Sequence, residues 1–250
     1  MIEVRENVFS EIGTDVNWFV VRDGSDLTLI DAGYPGDVAR VEASIRSIGA
    51  APEDVRAILL THAHVDHMGA ANHFHDRYGT PILMSETETA HARREYLQQA
   101  SELDVAKNAW RPGVLAWSLR VMRAGATQKI AIPHAEAFPT VGALDLPGAP
   151  TPVPTTGHTT GHTAYFLPAA GAVVTGDTLV NGHPLLRHAG PQLLPPMFNH
   201  SETDTVAALD QLEGLDADLL LPGHGHPYTG SIREAVAKAR DATQGRRKSR

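Results

Sequence analysis

The segment Thr61-His62-Ala63-His64-Val65-Asp66-His67 brings three imidazoles and a carboxylate together within a few residues. Neutral imidazole and carboxylate are the nitrogen and oxygen ligands that divalent transition metals take. Neither a core nor a solvated surface needs histidine at that density. The segment follows Ala57-Ile58-Leu59-Leu60, an apolar run that reads as a buried strand. A strand end that feeds such a loop aims several ligands at one point. Three further places repeat the local signature of a polar residue beside glycine near a strand: Thr156-Gly157-His158-Thr159, Val174-Thr175-Gly176-Asp177-Thr178 and Leu221-Pro222-Gly223-His224-Gly225. Glycine lets backbone approach closely there. The combined set of histidines and aspartates is large enough for two cations that share a carboxylate.

The elements that must position these groups follow from the pattern around them. Val16 to Val21 and Leu27 to Ile30 read as strands joined by the turn Asp23-Gly24-Ser25-Asp26, with Asp31-Ala32-Gly33 at the exit. Residues 37–48 read as a helix, with Val38, Val41, Ile45 and Ile48 at helical spacing and Gly49 as its stop. The segment from Asp66 to Tyr78 reads as another helix, and Ile82-Leu83-Met84 as a short strand. Residues 86–125 are rich in Ala, Leu, Glu and Arg and break at Arg111-Pro112-Gly113. They predict two or three helices with Trp110, Trp117, Leu119 and Met122 on an apolar side. Such an insertion either packs onto the domain or forms a lid over a site. Residues 133–156 read as Pro-rich connection, Thr163 to Leu167 and Ala172 to Thr175 as a strand pair, and 181–200 as a loop. A helix over Glu202 to Glu213, capped by Ser201, then a strand over Asp218 to Leu221 and a helix over Ser231 to Ala242 complete the chain. Strand pairs, then helix, then a strand ending in histidine occur in both halves, which suggests two βα halves packed sheet to sheet with helices outside.

Gross composition sets limits. The 250 residues are 42% hydrophobic and 20% charged, as for a soluble globular protein with a sizeable core. A net charge of −8 implies no broad nucleic-acid-binding surface. Cysteine is absent from the sequence, which removes disulfides and thiolate ligands. His, Asp and Glu remain, a donor set that favours zinc, manganese or non-haem iron. Met1-Ile2-Glu3-Val4-Arg5-Glu6 carries charges where a signal peptide has its apolar core. No apolar run approaches the roughly 20 residues of a bilayer span. The expectation is a cytoplasmic, soluble protein of one domain over residues 1–250, acting on a small molecule, with no nucleic-acid or membrane partner. Residues 244–250 read as a basic, solvated tail.

With these motifs in their order, His62, His64, Asp66, His67 and Gly69, then Gly157-His158, Gly176-Asp177 and Pro222-Gly223-His224, the sequence resembles the metallo-β-lactamase-fold hydrolase superfamily. The resemblance spans residues 31 to 224 and implies an α/β fold, a four-layer αβ/βα sandwich. It implies that His62, His64 and His158 bind a first metal, that Asp66, His67 and His224 bind a second, and that Asp177 bridges both, with two zinc ions as the expected cofactors and iron or manganese as alternatives. Asp31 matches the strand-end aspartate that supports such a site from behind its ligands, with a plain turn role as the alternative. A water between two such metals is acidified toward neutral pH and attacks as hydroxide, the metals stabilise the oxyanion, and Asp66 orients the nucleophile and relays its proton.

The remaining histidines are read more plainly. His73 and His75 lie about 200° apart on a helix and cannot chelate together. His162 is read as a structural hydrogen-bonding residue. His91, His134, His200 and His226 carry no partner pattern and are assigned no role. His183 and His188 lie in the loop that leaves Asp177; His183 is a candidate substrate contact, and Tyr34 a candidate oxyanion donor, with packing as the alternative for each. The leading function is a dinuclear metal-dependent hydrolase of a small ester, lactone, thioester or β-lactam. β-Lactamase subclasses with a cysteine ligand are excluded by composition. A glyoxalase II-type thioesterase usually carries a C-terminal helical region, and about 26 residues follow His224, so a lactonase- or esterase-like activity is slightly favoured. The alternatives are a mononuclear iron persulfide dioxygenase and a phosphodiesterase of nucleotide-sized substrates.

Overall fold

The computed structural model describes residues 1–100, 105, 107, 110, 113–139, 142–186 and 188–248. Strands β1 (Ile2–Arg5), β2 (Val8–Ile12), β3 (Asn17–Asp23), β4 (Asp26–Ile30), β5 (Val55–Leu59), β6 (Ile82–Met84) and β7 (Glu136–Ala137) form a seven-stranded sheet in chain order. It is antiparallel from β1 to β4 and parallel from β4 to β7. Strands β8 (Thr151–Pro154), β9 (Thr163–Leu167), β10 (Ala172–Gly176), β11 (Leu219–Pro222) and β12 (Tyr228–Thr229) form a second sheet of five, with β10 and β11 its parallel pair. The described helices of at least one full turn are α1 (Val38–Ser47), α2 (Ala71–Tyr78), α3 (Glu86–Ala92), α4 (Val114–Arg123), α5 (Glu202–Glu213) and α6 (Ile232–Lys248).

Alternation along the strands builds the layers, because successive side chains point to opposite faces. In β3, Phe19 and Val21 face the second sheet, while Trp18 and Val20 face the helices α1 and α2. Ile30 and Leu59 join the layer between the sheets, where they meet Tyr165, Leu167, Val174 and Leu221. Leu29 and Ile58 turn outward onto Val41, Ile45 and Phe74. In the second sheet, Val173 and Leu220 point the other way and pack on Leu209 and Leu212 of α5 and Ile232 and Val236 of α6. The result is the expected four-layer αβ/βα sandwich.

Several expected elements are revised. The helix expected from Asp66 begins at Ala71. Residues 66–70 instead spend their backbone groups on the strand-end loop of β4: Gly69 N–H donates to Gly33 O at 2.6 Å, Ala70 N–H to Ala32 O at 3.1 Å, and Ala32 N–H to His67 O at 2.7 Å. The last helix runs past Ala242 to Lys248, taking in residues 244–248 of the expected tail; Ser249 and Arg250 lie outside the described residues. The insertion carries α3 and α4, whereas Arg111 and Pro112 of the expected break lie outside the described residues. The buried stripe of α4 is Val114, Trp117 and Val121. Leu119 lies about 200° round the helix from Trp117 and is 45% exposed, as is Met122, while Trp110 is 80% exposed. The apolar stripe packs on Val16, Tyr34, Val65 and Leu185.

Gly69 is the tightest point of this arrangement. A Cβ there would stand 2.0 Å from the Tyr34 carbonyl carbon and 2.3 Å from Pro35 N, both backbone. Gly69→Ala therefore lowers stability by about 2–3 kcal/mol, as overpacking against an unyielding neighbour does, and equilibrium urea unfolding of the metal-free protein reads the loss. Gly214→Ala, where nothing lies within 4 Å, stays within about 0.5 kcal/mol of the parent; equal losses for the two variants would refute the assignment of Gly69 to a packing constraint.

Candidate metal centre

The parallel strands of both sheets end at one rim. Asp31 follows β4, Thr61 to His67 follow β5, Asp177 follows β10 and His224 follows β11. Carboxyl ends of parallel strands are where open α/β sheets gather ligands. The two sheets are laced together at this rim. Asn17 Nδ2 donates to Pro222 O at 2.8 Å and to Gly225 O at 2.6 Å, Tyr165 Oη donates to Leu60 O at 2.7 Å, and Thr163 N–H donates to Thr61 O at 2.9 Å. Gly223 admits no side chain, since a Cβ would meet Asp177 Oδ1 at 2.4 Å.

The rim brings together His62, His64, His158 and Asp177 as one set and Asp66, His67 and His224 as another, the ligand atoms within each set lying within 4.8 Å of one another. All are buried except Asp66, which is partly exposed. Asp177 faces both sets: Oδ2 lies 3.4 Å from His158 Nε2 and 4.0 Å from His62 Nε2, and Oδ1 lies 3.4 Å from His67 Nε2. His224 Nε2 stands 3.2 Å from Asp177 Oδ2 and 3.6 Å from Asp66 Oδ2. Two ligands on one tetrahedral cation, each about 2.0–2.1 Å away, stand roughly 3.3 Å apart, so this spacing is that of a cation cage.

Hydrogen bonds decide which nitrogen of each ring faces inward. His67 Nδ1 meets Asp31 Oδ2 at 2.8 Å, His64 Nε2 meets the carbonyl of Gln98, and His224 Nδ1 meets the carbonyl of Asp15. These partners only accept, so each outer ring nitrogen carries a proton and each inner nitrogen is the one turned toward the cage. His62 Nδ1 donates to Thr61 Oγ1 at 3.0 Å, and that hydroxyl donates onward to Asp31 Oδ2 at 2.9 Å. Asp31, in a left-handed backbone at φ 59°, thus orients two rings from behind. His158 Nδ1 lies 3.0 Å from Asn199 Oδ1. Its inner Nε2 then faces the lone pair of His64 Nδ1 at 3.0 Å. Two lone pairs at that distance repel unless a cation lies between them. His62 Nε2, His67 Nε2 and Asp177 Oδ1 are buried with no hydrogen-bond partner. The donor set fits divalent cations on these grounds.

Electrostatics agree. Burial, and then the neighbouring imidazole His67, hold His62 well below the ordinary imidazole range. Burial does the same to His158 against the pull of Asp177. Low basicity keeps these nitrogens free of protons. At His67 burial is outweighed by Asp177, Asp31 and Asp66, which push the ring up, and at Asp177 burial is outweighed by His224 and His67, which push the carboxyl down. Without a cation, protons on His67 and His224 offset Asp177; a divalent cation and those protons compete for the same nitrogens.

The centre forms the floor of a cavity of about 370 Å³ whose wall includes Val65, Leu115, Trp117, Val121, Met122 and Phe198. Tyr34 and His183 also line it. Burial, reinforced by Asp66, raises the Tyr34 hydroxyl well above its usual range, so it stays protonated. His183 is edge-on to Trp117 with ring centroids 5.5 Å apart, and its Nδ1 accepts from Leu185 N–H at 3.1 Å, which leaves Nε2–H to donate. His188 is exposed and absent from the lining. His162 is buried and accepts the Asp177 N–H at 3.1 Å through Nε2, a structural part. His73 bonds Glu42 and His75 stacks on His134. Sequence reasoning missed Asn17, Asp15 and Gln98. Only Asn17 left a trace, as an amide inside an apolar strand; the others act through main-chain carbonyls, which carry no residue signature.

Comparison with known proteins agrees with this geometry. The profile of the metallo-β-lactamase superfamily matches residues 12–224. The chain is 26% identical over 209 residues to the probable metallo-hydrolase YflN of Bacillus subtilis, covering 81% of this chain and 76% of that protein. It is 27% identical over 218 residues to the probable metallo-hydrolase YqgX of the same organism, covering 87% of each. Among solved structures, a metallo-β-lactamase family protein from Thermus thermophilus superposes with a TM-score of 0.68 at 22% identity, over 99% of this chain and 82% of that one. A metallo-β-lactamase from Cronobacter sakazakii superposes with a TM-score of 0.69 at 16% identity, over 99% and 94%. The chain belongs to the metallo-β-lactamase superfamily and is a metallo-hydrolase whose His/Asp cluster is a divalent-metal site.

Proposed function

We propose that the protein is a dinuclear hydrolase of small esters, lactones or thioesters with an apolar acyl group. The observation that carries this reading is the meeting of two His/Asp sets, the first containing Asp177 and the second facing that carboxylate through His67 and His224, at the floor of a cavity with an apolar wall. His62, His64 and His158 would hold one cation and Asp66, His67 and His224 the other, with Asp177 between; zinc suits the nitrogen-rich set. When bound, the cations supply an acidified water and polarise the scissile carbonyl.

The residues of the chain do the rest. Asp66 is the partly exposed carboxylate of the cluster, its Oδ2 within 3.8 Å of His67 Nε2 and 3.6 Å of His224 Nε2. It orients the attacking water and takes its proton. Tyr34 and His183 line the cavity with neutral Oη–H and Nε2–H donors, and in this reading they bind the carbonyl oxygen as charge develops. Trp117, Val121 and Met122 of α4 bind the acyl chain and exclude water, so the insertion serves as the substrate wall. The complete second ligand set favours two metals over the mononuclear iron of a persulfide dioxygenase, and the apolar wall favours an acyl group over a phosphodiester.

Protein purified without added metal should hold about two zinc per chain, and His224→Ala about one, read by elemental analysis. One iron per chain with thiol-dependent oxygen uptake would replace this reading by the dioxygenase. Asp66→Asn should keep the fold by circular dichroism and lower kcat by about 10²–10⁴-fold, the usual worth of a positioned proton acceptor. In a panel of lactones, acyl esters, thioesters, cephalosporins and phosphodiesters, kcat/KM should rise with acyl chain length. Trp117→Ala should raise KM about tenfold for the long-chain substrates with little change in kcat, as loss of uniform binding does. Turnover of the phosphodiesters alone would reject an acyl substrate.

A further inference from the structure

Glu88 lies on α3 with its side chain wholly shielded from solvent, and it is no member of either ligand set. Its carboxylate takes four donors. Oε1 accepts Ala63 N–H at 2.8 Å and His91 Nδ1–H at 2.7 Å, and Oε2 accepts Thr159 Oγ1–H at 2.8 Å and Gly161 N–H at 3.1 Å. Ala63 separates His62 from His64, and Thr159 follows His158. One buried carboxylate therefore clasps the two loops, one from each sheet, that supply the imidazoles of the first set.

His91 extends the clasp. Its Nε2 accepts Gln98 N–H at 3.1 Å, and its ring lies nearly parallel to that of Tyr96, 8° apart with centroids separated by 5.2 Å. Gln98 then returns to the centre from two sides: its carbonyl accepts from His64 Nε2, and its side-chain Oε1 accepts Thr160 N–H at 2.9 Å. The next residues, Gln99 and Ala100, line the cavity.

The polarity of these bonds runs one way. A carboxylate has no proton to give, so His91 carries its proton on Nδ1 and offers Nε2 to the Gln98 N–H. Gln98, held there, presents its carbonyl to His64 Nε2–H and leaves His64 Nδ1 bare toward the cation cage. An amide at position 88 breaks the sequence: whichever oxygen its NH2 group replaces, it would face a main-chain N–H that can only donate, Ala63 on one side and Gly161 on the other.

We propose that Glu88 is a positioning residue which, through His91 and Gln98, fixes the ring of His64 and couples the first metal set to the cavity wall at Gln98–Ala100. The proposal rests on the reading of that set as a cation site. Zinc affinity measured by competition with a chromophoric chelator tests it. His224→Ala disables the second set and leaves the first to report; His158→Ala does the reverse. In the His224→Ala protein, adding Glu88→Gln should weaken zinc about 10–100-fold, the usual range for a residue that orients a ligand. In the His158→Ala protein the same change should alter affinity by less than about 3-fold. His91→Phe, which keeps a buried ring without nitrogens, should reproduce the selective loss if Glu88→Gln does not fold, and the double variant should lose no more than the larger single loss. Equal weakening in both backgrounds, or no change in either, overturns the coupling. A parent protein that binds zinc at His67, Asp66 and His224 but none at the first set overturns the cation reading itself.

Discussion

The rest of the structure depends on keeping imidazole lone pairs crowded around one aspartate. Each ring around Asp177 is turned by a partner on its outer side so that its inner nitrogen faces the cage, kept bare by burial in His62 and His158 and open to a proton or a cation in His67 and His224. For His67 that partner is Asp31; for His64 and His224 it is a main-chain carbonyl. Such an arrangement is repulsive in itself and costs desolvation of every ring. The strand ends of two hydrogen-bonded sheets hold it, and a cation bound there would relieve the repulsion.

That constraint explains features that otherwise look unrelated. The loop after β5 turns instead of running helically, because Gly69 and Ala70 must close on the exit of β4 for Asp31 to reach both Thr61 and His67. Gly223 is bare because Asp177 Oδ1 occupies the space a methyl group would need. Asn17 places an amide in an apolar strand because the loop around Pro222 and Gly225 needs donors where the sheets meet. The apolar wall is built mainly from α4, with Val65 after β5 and Phe198 before α5 completing it.

The clustering of these histidines was legible in the sequence because their density and their place at strand ends mark them out from core and surface residues. The layers were legible because alternation in runs such as Trp18-Phe19-Val20-Val21 has a fixed period. The segment 66–70 was not: Val65, Met68 and Ala71 have helical spacing, and nothing local reveals that the carbonyls of Gly33 and Ala32, 36 and 38 residues upstream, accept its N–H donors. Glu88 and His91 were also silent, since an acid and a histidine three apart on a short helix look like a solvated pair until the fold buries them. Gln98 and Asp15 reach the imidazoles through main-chain carbonyls that every residue possesses.

The candidate ligands come from both halves of the sandwich: His62, His64, Asp66 and His67 from the loop after β5, and His158, Asp177 and His224 from the second sheet. A cation held by both is a rivet across the sheet interface, and separating the sheets means releasing it. Stability is then linked to free metal by mass action. At a metal concentration 100 times the dissociation constant, each such site adds about 2.7 kcal/mol to the folded state. With cations bound across that interface, resistance to unfolding would be a property of the protein's surroundings as much as of its sequence.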